Sequence, residues 1–374
     1  MRQPIHVGCG HLRGSRLRFV QYHPRAASGD GGITNSVRRL SEGLARVGVQ
    51  PVIVCADDEP PPALPGVEWR PVAHRWIWRA GIPRELEAAF DGADVIVLNS
   101  GWTIHNLLAG RVARRMGIPY VLAPRGAYDP QIVRRRGWAK RAWWRLAEQE
   151  LVQGCRAIHV FFESERADLA DLGYRGDLIV APNGVTAPDV PRWDASGGYL
   201  LYIGRFDPEH KGLDLLVRAI AAAPAGTLPP LRLHGPDWRG GKDRLRALIT
   251  ELGVDDRAIL GEAVYGDAKW QTFAESVAFV YPSRWEGFGN APAEAGALGV
   301  PTLVTPYPFG RYLADRDAAI LAEPTVEGIL AGLRRLVAAD AARIGANAAT
   351  LIRSEFTWDA VARSWQRQVA AWTA

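Results

Sequence analysis

Cysteine is scarce in this chain, with three residues in 374, Cys9, Cys55 and Cys155, too scattered for a disulfide framework or for metal-ligand spacing. That usage fits a reducing cytoplasm. No apolar run approaches the ~20 residues needed to span a membrane. Residues 1–17 are polar and basic and lack the apolar centre of a signal peptide. No HExxH and no GxSxG elbow is present, which removes the commonest zinc-protease and serine-hydrolase signatures. The charge excess is small as well, 45 basic against 40 acidic residues or +5. It does not argue for nucleic acid, and it is compatible with an anionic ligand or an anionic membrane surface.

What is present is globular: 48% apolar and 23% charged residues. At 374 residues the chain exceeds the usual size of one hydrophobic core, so two domains are expected. Short apolar runs predict strands over 17–22, 51–55, 95–98, 120–123, 157–161 and 178–181, then over 199–203, 231–234, 258–260, 277–281, 302–305 and 318–321. Helical patterns lie between several of them, such as 33–47 and 103–116. Continuous apolar strands alternating with helices imply parallel sheets covered on both faces. PNGVTAPDVPRWDASGG (182–198) is rich in Pro, Gly and Asp and reads as the linker. The expected division is therefore 1–185 and 186–356. A last helix over 358–372 carries Val361, Trp365, Val369 and Trp372 as a packing stripe. Two doubly wound α/β domains would present strand carboxyl ends to a shared cleft.

Residues 283–304, SRWEGFGNAPAEAGALGVPTLV, place Glu286 and Glu294 eight positions apart around a glycine-containing loop and a helix start. Pro292 suits a first helical turn, and Gly287 and Gly289 allow close backbone approach. The pattern predicts Glu286 on a loop after a strand and Glu294 in the first helical turn, where a helix N-terminus favours an anion. An ordinary strand–turn–helix with solvated glutamates is the alternative. YLLYIGRFDPEHKGLDLLVRAI (199–220) sets Arg205 after a strand and Lys211-Gly212 at a helix start, a clamp suited to a diphosphate leaving group or else a basic surface loop. HPRAASGDGGITNSV (23–37) offers Gly31 and Gly32 to the opposite wall of the cleft, or is a plain turn. GCGHLRG (8–14) is a poor dinucleotide fingerprint, because its last glycine is displaced and strand follows it. A glycosidase pairing of Glu286 with Glu294 sits badly with the basic clamp, since hydrolysis of a neutral glycoside releases no anion. Asp315-Arg-Asp317 reads as a solvated turn, so no divalent metal is implied.

RRRGWAKRAWWRLAEQE (134–150) differs in kind. Residues 134–145 hold six cations, no acid and three tryptophans on an expected helix. The pattern suits an anionic membrane interface or single-stranded nucleic acid. The alternative is a solvated helix whose tryptophans pack on the sheet.

Together these motifs resemble the family-4-like group of retaining glycosyltransferases with the GT-B fold, two Rossmann-like domains facing a central cleft. GRFDPEHKG (204–212) and PSRWEGFGNAPAEAGALGVPTLVT (282–305) stand in the order and separation of that family. PNGV (182–185), GDGGITNSV (29–37) and APRGAYDPQIVRRRGWAKRAWW (123–144) are also similar to it. The last of these is like a segment of bacterial polysaccharide-building members.

The resemblance implies transfer of a sugar from a nucleoside-diphosphate-sugar to a sugar, lipid-linked or small-molecule acceptor, with retention and with no metal or other cofactor. It implies that Arg205 and Lys211 hold the donor diphosphate, that Glu286 contacts the donor sugar and Glu294 the ribose. Gly32, Gly287, Phe288, Gly289 and Asn290 complete the donor side; Gly31, Asn99 and Arg125 fall on the acceptor side. Many members carry H-x-H-G where this chain reads VLNSGW (97–102), so Asn99 stands near a histidine position and cannot act as a base. His105 is nearby, expected on the following helix. Asn290 also departs from the family's usual apolar residue, and its amide is a candidate for a donor hydroxyl. Nucleic acid is not expected as a partner. The expected location is the cytoplasm, with peripheral contact to an anionic membrane through 134–145.

Overall fold

The structure, a computed structural model, describes residues 16–24, 32–55, 63–72, 84–134, 137–186, 193–337 and 340–372. Gly31, Cys9 and the GCGHLRG stretch lie outside them.

Among the described residues the first sheet contains β1 (Arg18–His23), β2 (Gln50–Cys55), β3 (Glu68–Pro71), β4 (Val95–Asn99), β5 (Tyr120–Ala123), β6 (Ala157–Val160) and β7 (Leu178–Val180). Their spatial order is β3-β2-β1-β4-β5-β6-β7, all parallel. The second sheet holds β8 (Leu200–Ile203), β9 (Leu231–His234), β10 (Ala258–Leu260), β11 (Ala278–Tyr281), β12 (Thr302–Val304) and β13 (Ile320–Leu321), in the order β10-β9-β8-β11-β12-β13. The apolar runs became these strands because both faces are covered by helices; β4 and β11, for example, are buried throughout. β3, Glu-Trp-Arg-Pro, was not expected. It is a half-exposed edge strand without an apolar run, and its Glu68 pairs with Arg18 at 2.8 Å.

The strand order reverses between β1 and β4 in one sheet and between β8 and β11 in the other. The loops after these strands form the crevice where such sheets bind ligands. On the first sheet the described one follows Asn99; on the second they carry Arg205 and Glu286.

The last helix, Trp358–Ala370, returns to the first sheet. Thr357 caps its N-terminus by accepting from the Ala360 N–H at 3.2 Å. Val361, Trp365 and Val369 are buried against Phe19, Leu40 and Leu44, and Trp365 meets Phe19 edge-on at 5.5 Å. The domains also share aromatic packing: Phe162, just after β6, lies parallel to Phe288 at 6.1 Å and to Phe309 at 5.7 Å.

The basic, Trp-rich segment folds as helix Pro130–Arg134, helix Gly137–Trp143 and a π-helical turn Trp144–Glu148, continued by helix Gln149–Gly154. Arg135 and Arg136 lie outside the described residues. Trp143 and Trp144 turn inward, Trp144 lying 5.9 Å from Trp102. Trp138 is 77% exposed and Leu146 79% exposed. Asp315 and Asp317 sit in a turn before β13, with Asp317 paired to Arg343, away from any carboxylate cluster.

Candidate active site

Two loops build the second-domain wall. After β8 the chain runs through Arg205 to Lys211 and Gly212, which precedes helix Leu213–Ala222. Gly212 adopts φ 65°, and a side chain there would strike the Pro282 carbonyl, so the two loops are in backbone contact. That approach delivers the Lys211 ammonium to Glu286 on the loop after β11, where they form a buried ion pair. Lys211 also donates to the Tyr281 hydroxyl at 2.8 Å. The clamp expected from spacing thus has one of its cations already engaged by the first glutamate.

Glu286 Oε1 accepts from Lys211 Nζ, from Tyr281 OH at 3.0 Å and from Ser283 Oγ at 3.0 Å. These bonds all reach one oxygen, and Glu286 lines the cleft between the domains. Oε2 is therefore the oxygen left for a ligand. Burial works to raise the Glu286 pKa, but the charge of Lys211 and the hydrogen bonds from Lys211 and Tyr281 outweigh it and hold the group below the ordinary carboxylate value. The carboxylate is ionised, oriented and still has acceptor capacity.

Arg205 is held by neutral groups. Its Nη2 donates to His210 Nδ1 at 2.9 Å, and its guanidinium lies 4.7 Å from the Trp238 ring centre. His210 Nε2 in turn donates to the Trp285 carbonyl at 2.9 Å, and its ring stacks on Trp285 at 4.5 Å. Burial first, then Lys211, pulls the His210 pKa down to about 4, so the imidazole is neutral and Nδ1 is free to accept. The nearest carboxylate, Asp207, is 3.9 Å away. Arg205 keeps most of its charge for something else.

Glu294 does not share the environment of Glu286. Helix Asn290–Leu298 begins at Asn290, so Glu294 falls in the second turn, one turn later than expected. Its Oε1 accepts from Lys269 at 2.8 Å, and burial raises its pKa despite that lysine. Phe288 is buried in the interdomain aromatic stack, so only its backbone is available to a ligand. Asn290 Oδ1 accepts from Asn183 Nδ2 at 3.0 Å, and a side chain on Gly32 would lie 3.7 Å from the Asn290 amide nitrogen. The Asn290 amide therefore bridges the domains, with one end engaged by Asn183.

On the first-domain wall the structure joins two expected residues. Asn99 Oδ1 accepts from Arg125 Nε at 3.1 Å and from Nη2 at 2.8 Å, while Asn99 Nδ2 donates to the Tyr22 carbonyl at 3.2 Å. His105 lies on helix Ile104–Arg115. The loop carrying Arg125 touches the donor-side loop: Gly126 adopts φ 80°, and a Cβ there would lie 2.8 Å from Gly287 Cα. Between the loops is a small cleft lined by Gly126, Asp129, Glu165, Asp168, Glu286 and Gly287. Burial raises the Asp129 and Asp168 pKa values and lifts Glu165 to about 7. Those three carboxylates, His210 and Trp238 were not singled out from sequence. The only local signal for His210 was its place next to Lys211; Glu165 and Asp168 stand three residues apart on consecutive short helices, but Asp129 comes from a separate loop with no fixed spacing to them.

Comparisons with known proteins cover both domains. The family described as "Glycosyl transferase 4-like domain" matches residues 31–184, and "Glycosyl transferases group 1" matches residues 187–350. Among curated proteins, the O-antigen chain mannosyltransferase B of Escherichia coli is 33% identical over 171 residues, 43% of each chain. The phosphatidyl-myo-inositol mannosyltransferase of Mycolicibacterium smegmatis is 30% identical over 186 residues, 45% of each. The matched segments thus span less than half of these relatives. Among solved structures, the sucrose-phosphate synthase of Thermosynechococcus elongatus superposes with TM-score 0.72 at 20% identity, covering 96% of this chain and 99% of its own. Anabaena HepE, in complex with UDP and glucose, gives TM-score 0.73 at 15% identity and covers 95% and 100%. These likenesses show the fold: two Rossmann-like domains in the GT-B arrangement.

Proposed function

The chain belongs to the glycosyl transferases group 1 family, and on that premise we propose that it moves a sugar from a nucleoside-diphosphate-sugar to an acceptor hydroxyl, with retention of anomeric configuration. The observation that carries the reading is the Arg205–His210–Glu286–Lys211 constellation at the strand-order reversal of the second sheet. Arg205, loosely paired at best, and Lys211, already oriented, supply positive charge where a departing diphosphate would gather negative charge. Two protein cations then do what a divalent ion does in other leaving-group sites. Glu286, through Oε2, takes a donor hydroxyl and stabilises the developing oxocarbenium charge. The diphosphate oxygen accepts the acceptor's proton on the same face, so no side chain serves as general base. Glu294 takes the ribose, exchanging part of its bond to Lys269. The carboxylate-lined cleft beside Gly287 is where the acceptor hydroxyl enters.

A sugar, lipid-linked or small-molecule acceptor fits the polysaccharide and glycolipid names of the relatives. The exposed stripe Trp138, Arg141, Arg145 and Leu146 favours a cytoplasmic enzyme resting on the anionic inner face of a membrane.

The test is a panel of nucleoside diphosphates screened by melting shift, followed by donor turnover with and without acceptors. Arg205→Ala and Glu286→Ala are each expected to cut turnover by about 10²–10³-fold. Turnover within a few-fold of wild type in either variant rejects the assignment.

A further inference from the structure

Among the described residues, no acidic group answers the charge of Arg125. Its hydrogen-bond partner is the Asn99 amide oxygen, reached through Nε and Nη2, and its other contact is the Phe161 ring, 6.0 Å from the guanidinium. Burial alone draws its pKa down, to about 10, with no carboxylate acting in the other direction. It is still a cation at neutral pH. The adjacent His159 is kept neutral by burial and by Arg125 itself, and its Nε2 donates to the Ala181 carbonyl at 2.8 Å. A largely buried guanidinium with no counter-ion among the described residues is costly, and an anionic ligand would answer it.

The backbone around Arg125 is also costly. Three non-glycine residues in two neighbouring loops adopt left-handed φ: Ser100 at 81°, Trp102 at 61° and Arg125 at 55°. Glu148 holds both loops in that state. Its Oε1 accepts from the Trp102 N–H at 2.9 Å and from Tyr128 OH at 2.6 Å, and its Oε2 accepts from Trp143 Nε1 at 2.9 Å. Glu148 closes the π-helical turn Trp144–Glu148, a rare conformation concentrated at functional positions. Strain maintained by a buried hub marks a site rather than a packing accident.

The place fits a ligand. Asn99 ends β4 and Arg125 follows β5, so the guanidinium stands at the carboxyl ends of the sheet. Phe161, beneath it, lies 5.7 Å from Phe288 on the donor-side loop, and Gly126 abuts Gly287. We propose that Arg125, held by Asn99, is a phosphate subsite on the first-domain wall, binding a phosphate oxygen of the donor diphosphate or of a phosphate carried by the acceptor. This rests on the glycosyltransferase reading for the identity of the phosphate's bearer, and on the residues above for the subsite itself.

The experiment measures binding by calorimetry for wild type, Arg125→Gln and Arg125→Lys. One arm titrates the nucleoside diphosphate that gives the largest melting shift; the other titrates inorganic pyrophosphate with that nucleotide saturating. A loss of about ten- to a hundredfold in the first arm for Arg125→Gln, partly restored by Lys, assigns the donor diphosphate. The same loss confined to the second arm assigns an acceptor phosphate. The melting temperature of Arg125→Gln is expected to equal or exceed that of wild type, since an unanswered charge has gone. Affinities within twofold of wild type in both arms overturn the subsite, as does a lowered melting temperature with unchanged binding. A wild type that binds pyrophosphate through Arg125 but no nucleoside diphosphate sinks the glycosyltransferase reading and leaves the subsite standing.

Discussion

His210 shows what a neutral side chain contributes to a cationic site. Its Nδ1 lone pair orients Arg205 without cancelling the guanidinium charge, which a carboxylate in the same place would do. Its pKa is held at about 4, below the ordinary 6.5, chiefly by burial. Below the ordinary value the unfolded chain takes up a proton that the folded imidazole refuses until about pH 4. Stability is therefore complete above that value and falls as pH drops through the window between the two. His159 adds a slope of the same sign. His210→Gln keeps a hydrogen-bonding group and removes the titration. Urea denaturation at pH 7 and pH 5 is expected to show a pH-dependent loss smaller by roughly 2 kcal/mol in the variant. Equal losses in the two proteins would mean that the imidazole is accessible to protons. Arg205 and Lys211 were legible at this scale because cations at a strand end and at a helix start have few uses; Glu294 was misplaced by a turn because a helix start is uncertain by a residue or two.

The segment from Gly137 to Glu148 shows how one element serves two sides. Inward, Trp143, Trp144 and Glu148 hold the strained loops after β4 and β5. Outward, Trp138, Arg141, Ala142, Arg145, Leu146 and Gln149 are exposed and fall at positions i, i+3, i+4, i+7, i+8 and i+11. The sequence offered packing and membrane contact as alternatives; Trp143 and Trp144 pack, and Trp138 is exposed. Trp138→Ser with Arg141→Gln and Arg145→Gln changes exposed side chains only. The triple variant is expected to lose most sedimentation with vesicles rich in anionic phospholipid, while its melting temperature stays within a degree or two. Unchanged sedimentation disposes of the membrane surface. The edge strand β3 escaped the sequence for the complementary reason: a half-exposed four-residue strand needs no apolar run.

At the scale of the whole molecule the site exists only while the two loops touch. Gly126 and Gly287 meet backbone to backbone, Gln131 Nε2 donates to the Arg284 carbonyl at 3.0 Å, and Asn183 meets Asn290. Gly126→Ala adds a methyl against Gly287 and disfavours φ 80°. It is expected to lower kcat by about 10²-fold, because small misplacements of reacting groups are that costly. If the Arg125 subsite takes an acceptor phosphate, nucleoside-diphosphate affinity, held by Arg205 and Lys211, should stay within about twofold. A parallel loss of affinity would show that the contact shapes the donor site rather than closing it.

The sequence by itself determined the alternation of strands and helices, the two sheets and the loops that carry Arg205, Lys211 and Glu286. Those follow from local periodicity and from glycines and cations at fixed offsets, which a chain displays without being folded. Only the tertiary structure decided that Lys211 is engaged by Glu286, that Asn99 grips Arg125, and that Asp129, Glu165 and Asp168 line one cleft. Each of those pairings joins residues from different elements, and the distance between such groups is set by how sheets and helices stack, which no local pattern encodes.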